Sequence, residues 1–463
     1  MSARQFWSLI KSAVRGEEHD FTSGSIRKAI VLLAIPMMLE MAMESVFALV
    51  DTFFVGRIGV EALTTVGLTE VMMTLIYSLG VGLSVAPMAL IARFIGEKDT
   101  AMASRAAGQS IVLTVVLSII LAVPAFIYAA DLLALMGAGP RVIEQGIGYT
   151  RILFAGNGII MLLFLLNGVL RGAGEAATAM RVLWIANGIN IVLDPLLIFG
   201  LGPIPGFGVE GAAIATTIGR ATGVGYQLYI LATGRSVVRL TRQDWRFDPK
   251  MQVRILRIAA NGAFQYVIGS ASWIFLARII ASFGAAAVAG YTVSIRLILF
   301  TLLPAWGLSN AAATFVGQNL GAKRADRAEQ GVWWTLGITT AYLFVLSFGY
   351  YFLASPLVEA FTQDAAAVAY GVEALEIFAI GYVMFGLGLI PVQAFNGAGD
   401  TATPTLLNFV CFWLVEIPLS YYLAVSLGYA VAGVIWAVVI AEILLAIVAI
   451  WLFRRGKWKL KEI

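Results

Sequence analysis

The sequence is poor in charge, cysteine and histidine, and each shortage excludes a class of protein. Charged residues make up 13% of the 463 residues, whereas soluble domains carry about 25%. With 60% hydrophobic residues, the chain cannot cover a water-facing surface, so we expect the lipid bilayer as its solvent. Its single cysteine, Cys411, excludes a disulfide framework within the chain. Its single histidine, His19, excludes a paired-histidine metal motif.

Motifs of soluble enzymes and ATP-driven pumps are also missing. The sequence has no GxxxxGK[ST] loop, so no ATP-hydrolysing motor lies on this chain. It has no DDxxD run of the kind found in membrane prenyltransferases. We therefore expect a protein that is not an enzyme and that has no catalytic residues and no cofactor.

Apolar runs predict about twelve transmembrane helices. A helix needs about 20 apolar residues to cross a bilayer, and the runs bounded by charge, glycine or proline have about this length. Their approximate limits are 28–52, 63–92, 104–129, 143–170, 177–199, 209–233, 252–280, 285–316, 328–354, 369–396, 402–425 and 430–453.

The basic residues predict the orientation of these helices. If both termini are cytoplasmic, the inward segments hold 25 of the 31 lysines and arginines, as the positive-inside rule requires. We expect a multi-pass protein of a prokaryotic cytoplasmic (inner) membrane. The net charge of +4 is then a topology signal and not a nucleic-acid footprint, so no nucleic-acid partner is expected. The predicted segments are 1–27 (cytoplasmic), 28–234 (first lobe), 235–251 (cytoplasmic loop), 252–453 (second lobe) and 454–463 (basic cytoplasmic tail).

The two lobes repeat each other at a constant offset. A shift of 225 residues aligns Gly172-Ala173-Gly174 with Gly397-Ala398-Gly399, and also Gly82-Leu83-Ser84 with Gly307-Leu308-Ser309. After the fifth span the offset becomes 222, which aligns Gly211 with Gly433. Six spans per half give parallel repeats, which are related by an axis along the membrane normal and meet around a central cavity. The predicted fold is an all-α integral membrane protein of two six-helix lobes with pseudo-twofold symmetry, a scaffold suited to alternating access.

Ionisable residues inside the spans mark the expected site, because charge within a membrane is costly and usually functional. Helical periodicity places Glu40, Glu44 and Asp51 on one face of the first span. It places Asn187, Asn190 and Asp194 on one face of the fifth. The shift of 225 aligns both aspartates with leucines of the second half, so we expect ion coupling in the first lobe only.

This chemistry leaves three interpretations open. A desolvated carboxylate beside a second one can carry a proton near neutral pH. The same oxygens, with Thr216, can coordinate Na⁺, giving a candidate site at Asp51, Asn190, Asp194 and Thr216. Alternatively, the polar groups hydrogen-bond between helices as packing contacts. In the second lobe, Glu416 and Glu442 either attract a cationic substrate or pair with arginine.

The stretch Leu49–Gly59, the repeated Gly-Ala-Gly before the fifth and eleventh spans, and the run Gly208–Thr216 resemble the multidrug and toxic compound extrusion (MATE) family. The resemblance covers nearly the whole chain and is closer to the DinF-type branch than to the NorM-type branch. It implies an antiporter coupled to H⁺ or Na⁺ that exports cationic amphipathic drugs. It also implies a coupling site of Asp51, Asn190, Asp194 and Thr216, with Glu44 in place of a neutral polar group.

Candidate substrate-cavity residues are apolar residues near the acidic face of the first span and polar or acidic residues within other spans. They are Asn157, Asn187, Met38, Met41, Phe47 and Glu416. We expect a monomer that takes up small cationic amphipathic molecules. Two alternatives stay open: a flippase for lipid-linked precursors, which would need a basic cavity for pyrophosphate, and a structural or sensory membrane protein without transport.

Overall fold

The computed structural model describes residues 3–17, 19–203 and 205–463, except for the side chains of residues 3–6 and 60. The described chain is almost entirely helical. The first half contains α1 (Ala3–Arg15), α2 (Ile26–Gly56), α3 (Val60–Gly96), α4 (Thr100–Ile127), α5 (Ala129–Leu135), α6 (Pro140–Ala155), α7 (Asn157–Gly172), α8 (Ala176–Phe199) and α9 (Val209–Thr233). The second half contains α10 (Pro249–Ala281), α11 (Ala285–Gly321), α12 (Ala325–Glu359), α13 (Ala365–Gly397), α14 (Ala402–Asn408), α15 (Ile417–Tyr421) and α16 (Ala430–Arg454).

Ten of these helices, within the described residues, are long and apolar enough to cross a membrane, or eleven if the bent pair α6 and α7 forms one span. The chain turns by 40° between α6 and α7, at Gly156, where the sequence predicts one straight span over 143–170. The sixth predicted span, 209–233, is α9, which is not among these helices although its 25 residues suffice for a bilayer. It is less apolar than the others because it carries Glu210, Arg220 and several glycines and threonines.

The eleventh span departs from regular α-helix. Between α14 and α15 the chain forms a π-helix over Phe409–Glu416, and a second π-helix covers Tyr422–Ser426 after α15. Such widened turns are rare and frequently occur at functional sites. The corresponding span of the first half, α8, is α-helical throughout its 24 residues.

The repeat is visible in the backbone as well as in the sequence. Lys98 and Lys323 are 225 residues apart, and both adopt a left-handed conformation, with φ of 62° and 58°. Each follows a long helix and precedes the next one. Gly174 and Gly399, at the same offset, have φ of 85° and 80°. Turns of the same type therefore join corresponding helices in the two halves.

Two compact units divide the chain. One consists of Met1–Ile10, His19–Met38 and Phe264–Ile463, and the other of Lys11–Glu18 and Leu39–Ala263. The divisions within α2 and α10 fall after Met38 and after Ala263, which are again 225 residues apart. The lobe boundaries predicted from the sequence stay a prediction.

Glycines allow the helices within each unit to approach closely. A side chain at Gly172 would meet the Met88 carbonyl oxygen, and one at Gly397 would meet that of Ala313. Both pairs are related by the offset of 225. Small residues are the usual means by which membrane helices pack backbone to backbone.

A buried ion pair joins α2 to the end of α7. Glu40 is fully buried, and the Arg171 guanidinium donates to both of its oxygens, with Nη2–Oε1 at 2.5 Å and Nε–Oε2 at 3.3 Å. A bidentate pair of this kind neutralises a charge that lipid would not tolerate. Glu40 therefore has a structural partner, unlike Asp51 further along α2, for which the described residues show no ion pair.

Replacing Gly397 with valine should destabilise the protein. The new side chain would overlap with the Ala313 carbonyl, and overpacking typically costs about 1–3 kcal/mol. The matched control is Gly337→Val, because nothing lies within 4 Å of a Cβ at that helical glycine. Thermal unfolding of the purified variants in detergent should show a clear loss for Gly397→Val alone. Equal loss in both would contradict close packing at Gly397.

Removing Arg171 alone should be worse than removing both partners of its ion pair. Arg171→Met leaves Glu40 buried without a cation, which typically costs about 3–5 kcal/mol. Glu40→Leu/Arg171→Met removes the charge as well and should recover most of that loss. Unfolding temperatures of the single and double variants test this. If the double variant is no more stable than Arg171→Met, the pair is not the reason that Arg171 stabilises the fold.

Candidate functional site

Three helices of the unit that contains Leu39–Ala263 supply a buried polar cluster. Helix α8 carries Asn190 and Asp194 one turn apart, and the Asn190 Nδ2 donates to Asp194 Oδ1 at 3.4 Å. The same Nδ2 donates to Thr216 Oγ1 on α9 at 3.1 Å. Helix α2 adds Asp51, which is buried and interacts electrostatically with Asp194. The structure thus brings together the four residues that the sequence predicts as the coupling site.

Several atoms of this region are buried but have no hydrogen-bond partner. They include Asp194 Oδ2, Asn190 Oδ1, Asn187 Nδ2 and both side-chain amide atoms of Asn157. An unsatisfied buried polar group typically costs about 1–3 kcal/mol, and each such group in a native protein points to strain, a functional role or a bound ion or water. Such a concentration of unpaired oxygen and nitrogen atoms is typical of a site that binds a small polar species.

Negative charge dominates the electrostatics of the cluster. Asp51 faces the charges of Asp194 and Glu70, whose repulsion is opposed by the attraction of Arg220. Asp194 is completely buried, so the repulsion between it and Asp51 acts through a poorly screening medium. Neutralising one of these aspartates with a cation therefore relieves both repulsion and desolvation.

Glu44 has a different environment from the two aspartates. Its Oε2 lies 3.6 Å from Arg220 Nη2, and the same guanidinium lies over the ring of Phe47 at 5.2 Å. Its other carboxylate oxygen is buried and has no hydrogen-bond partner. The neighbouring arginine balances most of the charge of Glu44, which separates it chemically from Asp51 and Asp194.

The candidate cavity residues are not all in one unit. Asn157 and Asn187 are buried in the unit that holds the cluster, and Met41 and Phe47 are half-buried on α2 of the same unit. Met38, which is half-buried, and Glu416, which is buried, belong to the other compact unit. The sequence argument grouped these residues by their chemistry and by their place in the predicted spans, and neither shows the unit to which each belongs.

Two tyrosines near the cluster were missed by the sequence argument. Tyr149 on α6 is buried within electrostatic range of Asp51, Glu70 and Asp194. Tyr77 on α3 lies within range of Asp51, Glu70 and Glu44. A phenol in an apolar run looks like ordinary packing, so its only sequence signal is a polar tip in an otherwise apolar span.

The chemistry of the cluster selects for light, hard cations. Its ligands are carboxylate, amide and hydroxyl oxygens, which suit Na⁺ or a proton and not a soft metal. No group of three or more histidine, cysteine or acidic side chains placed to hold a metal ion occurs in the described part of the chain.

Known proteins share this architecture over nearly the full chain. A probable multidrug resistance protein, YoeA of Bacillus subtilis, is 27% identical over 95% of this chain and 96% of its own length. The probable multidrug resistance protein NorM of Thermotoga maritima is 26% identical over 99% and 97%. Among solved structures, a MATE crystal structure in complex with MaL6 is 28% identical, with a TM-score of 0.89 over 96% of this chain and 99% of that one. The predicted fold class, an all-α membrane protein of two six-helix halves, is confirmed.

The model of the MatE family matches the sequence twice, once in each half. The matched segments are residues 36–196 and 258–422, which together make up more than two thirds of the chain. The relatives named above are two probable multidrug resistance proteins and a MATE crystal structure, and the helices and the repeat described here agree with that architecture. The chain therefore belongs to the MatE family of membrane transporters.

Proposed function

We propose that the protein is a cation-coupled antiporter that exports cationic amphipathic compounds by alternating access. One observation carries the proposal: the buried residues Asp51, Asn190 and Asp194 form, with the half-buried Thr216, a cluster with net negative charge and unsatisfied oxygen atoms. A site of this kind gains stability when a proton or Na⁺ enters it. The free energy of the site therefore depends on which cation occupies it, as coupling between ion binding and transport requires.

The cation acts by changing the hydrogen bonds between α8 and α9. One amide nitrogen, Asn190 Nδ2, links Asp194 to Thr216. A cation on Asp194 competes with that amide for the carboxylate oxygens, so the link is rearranged when the ion binds. Pro195 follows directly and has no backbone N–H, which leaves the Ile191 carbonyl without its usual helical donor. Helix α8 is therefore able to bend next to the ion.

Export follows if the ion and the drug favour different states of the transporter. Uptake of the ion from outside neutralises the aspartates and removes the charge that holds a cationic compound. The compound then leaves to the outside, and release of the ion to the cytoplasm resets the cycle. A ligand shifts a conformational equilibrium only through its different affinities for the two states, and charge neutralisation supplies that difference here.

The finer assignments belong to the same proposal. We place the chain in the DinF-type branch, since its first half carries the paired aspartates, and we propose a monomer in the cytoplasmic membrane with both termini inside. Relatives of the chain are named as a probable multidrug resistance protein and as a multidrug export protein, which supports drugs as substrates. The excess negative charge at the cluster disfavours a lipid-linked pyrophosphate.

Asp51→Asn and Asp194→Asn should each abolish drug resistance in a drug-sensitive bacterial host. The amide keeps the size of the side chain but can neither carry a proton nor supply charge to a cation. We expect the minimum inhibitory concentration of cationic drugs to fall to that of cells with an empty vector. The control is Asp131→Asn, the same change at an exposed position of α5.

Membrane levels of all three variants must be equal by immunoblot. If Asp51→Asn and Asp194→Asn retain wild-type resistance at equal membrane levels, the cluster is not the coupling site.

Flux of a fluorescent organic cation into proteoliposomes should identify the coupling ion. Vesicles loaded with a high concentration of Na⁺ are diluted into medium without Na⁺, and vesicles loaded at low pH are diluted into medium of higher pH. Efflux of the coupling ion should then drive the dye inward. We expect one of the two gradients to drive accumulation in the wild type and neither to do so in Asp194→Asn. If neither gradient moves dye into wild-type vesicles, the antiport proposal fails.

A further inference from the structure

A second pair of buried acids lies in the other compact unit. Glu416 ends the first π-helix of the eleventh span and is 2% exposed, and Glu442 on α16 is 9% exposed. The two carboxyl groups interact electrostatically with each other. Both residues belong to the segment Phe264–Ile463, so this pair is separate from the cluster around Asp194.

No cation balances this pair. Among the described residues, neither Glu416 nor Glu442 has an arginine or lysine within ion-pair distance; the ion pairs of the chain involve other acids. The other titratable groups that face the pair are uncharged: the Tyr291 phenol on α11 and the Cys411 thiol. Two carboxylates ionised together in such a place would be very costly.

Unsatisfied polar atoms sit in the same place. Glu416 Oε1 is buried without a hydrogen-bond partner. The Ser420 hydroxyl is fully buried and also has none, and it lies one turn further on the same face of the helix as Glu416. The Ser272 hydroxyl on α10 lies within hydrogen-bond reach of both Glu416 and the Gly269 carbonyl oxygen, the latter at 2.9 Å. Its single proton can serve only one of these acceptors, and when it binds Gly269 its lone pairs can accept a hydrogen bond from a protonated Glu416.

The internal repeat explains why the cation is missing. The sixth and twelfth spans align at an offset of 222, and each aligned glycine, Gly211 or Gly433, packs on the backbone of the preceding span. This alignment places Glu442 opposite Arg220 of the first half. There the arginine neutralises Glu44 at 3.6 Å, whereas the second half has a carboxylate at the same position.

We propose that Glu416 and Glu442 form a second proton-binding site, in which bound protons take the place of the arginine of the first half. A single Na⁺ would balance only one of the two carboxylates, whereas two protons neutralise both, and beyond the carboxyl groups the surroundings add only hydroxyls, a thiol and apolar side chains. The π-helical turn that ends at Glu416 widens the helix at this point. The site goes beyond the proposed coupling cluster and does not require that cluster to be correct.

Infrared difference spectroscopy of the purified protein tests the site without any transport assay. A protonated carboxyl group absorbs at a C=O stretching band that is distinct from carboxylate bands and shifts in D₂O. To remove any band from the first cluster, the measurement uses Asp51→Asn/Asp194→Asn as the parent. At pH 7, where an exposed glutamate is ionised, this parent should still show a protonated-carboxyl band. Glu416→Gln and Glu442→Gln should each remove or shift it.

Two matched variants make the result unambiguous. Glu373→Gln makes the same change at an exposed position of α13 in the same unit and should leave the band intact. Glu416→Asp keeps a carboxyl group and should show a displaced band even if Glu416→Gln does not fold. If the parent has no such band, or if none of the Glu416 and Glu442 changes alters it, the two acids are not a proton site and the proposal is overturned.

Discussion

The cost of an unbalanced charge in lipid is the constraint on which the rest of this structure depends. Every acid within the spans must meet a cation, a proton or a set of hydrogen-bond donors. Glu40 meets Arg171 in a bidentate pair, and Glu44 meets Arg220 at 3.6 Å. Asp194 has only an amide donor on one oxygen and nothing on the other. The acids with a permanent partner hold the helices together, and in the proposed mechanism the acid without one binds an exchangeable cation.

The internal repeat lets one scaffold hold both kinds of site. Glycines at equal offsets set the close approaches of the helices, and left-handed turns at Lys98 and Lys323 join corresponding spans. These features fix the backbone in both halves. Side chains on the fixed backbone are then free to differ, so the position that is Arg220 in one half is Glu442 in the other. The repeat gives both halves the same backbone, and differences at single positions decide where each half carries charge.

Much of the fold and of the candidate site was predictable from the sequence, because a bilayer restricts the length of each helix and the positions of charged residues. Span lengths, the repeat and the shared face of Asn190 and Asp194 all follow from helical periodicity and from the cost of charge in a bilayer. The 40° bend at Gly156 did not follow, since Gly381, its counterpart at the offset of 225, lies within a continuous helix. The pairing of Glu40 with Arg171 also escaped prediction, because a pairing between helices depends on side-chain reach and not on spacing along the chain.

The acids of the second half align with different residues of the first half at the two offsets of the repeat. At an offset of 225, Asp51 and Asp194 align with Leu276 and Leu419, so the second half has no acid at either aligned position. The sixth and twelfth spans align instead at 222, where Glu442 replaces Arg220 and lies next to Glu416. The second half has therefore not lost its charge; it has lost the cation that balances it. In a poorly screening interior, removal of the arginine changes a site from a fixed ion pair to one that must take up a proton. The difference between the halves is then in how each acid is neutralised.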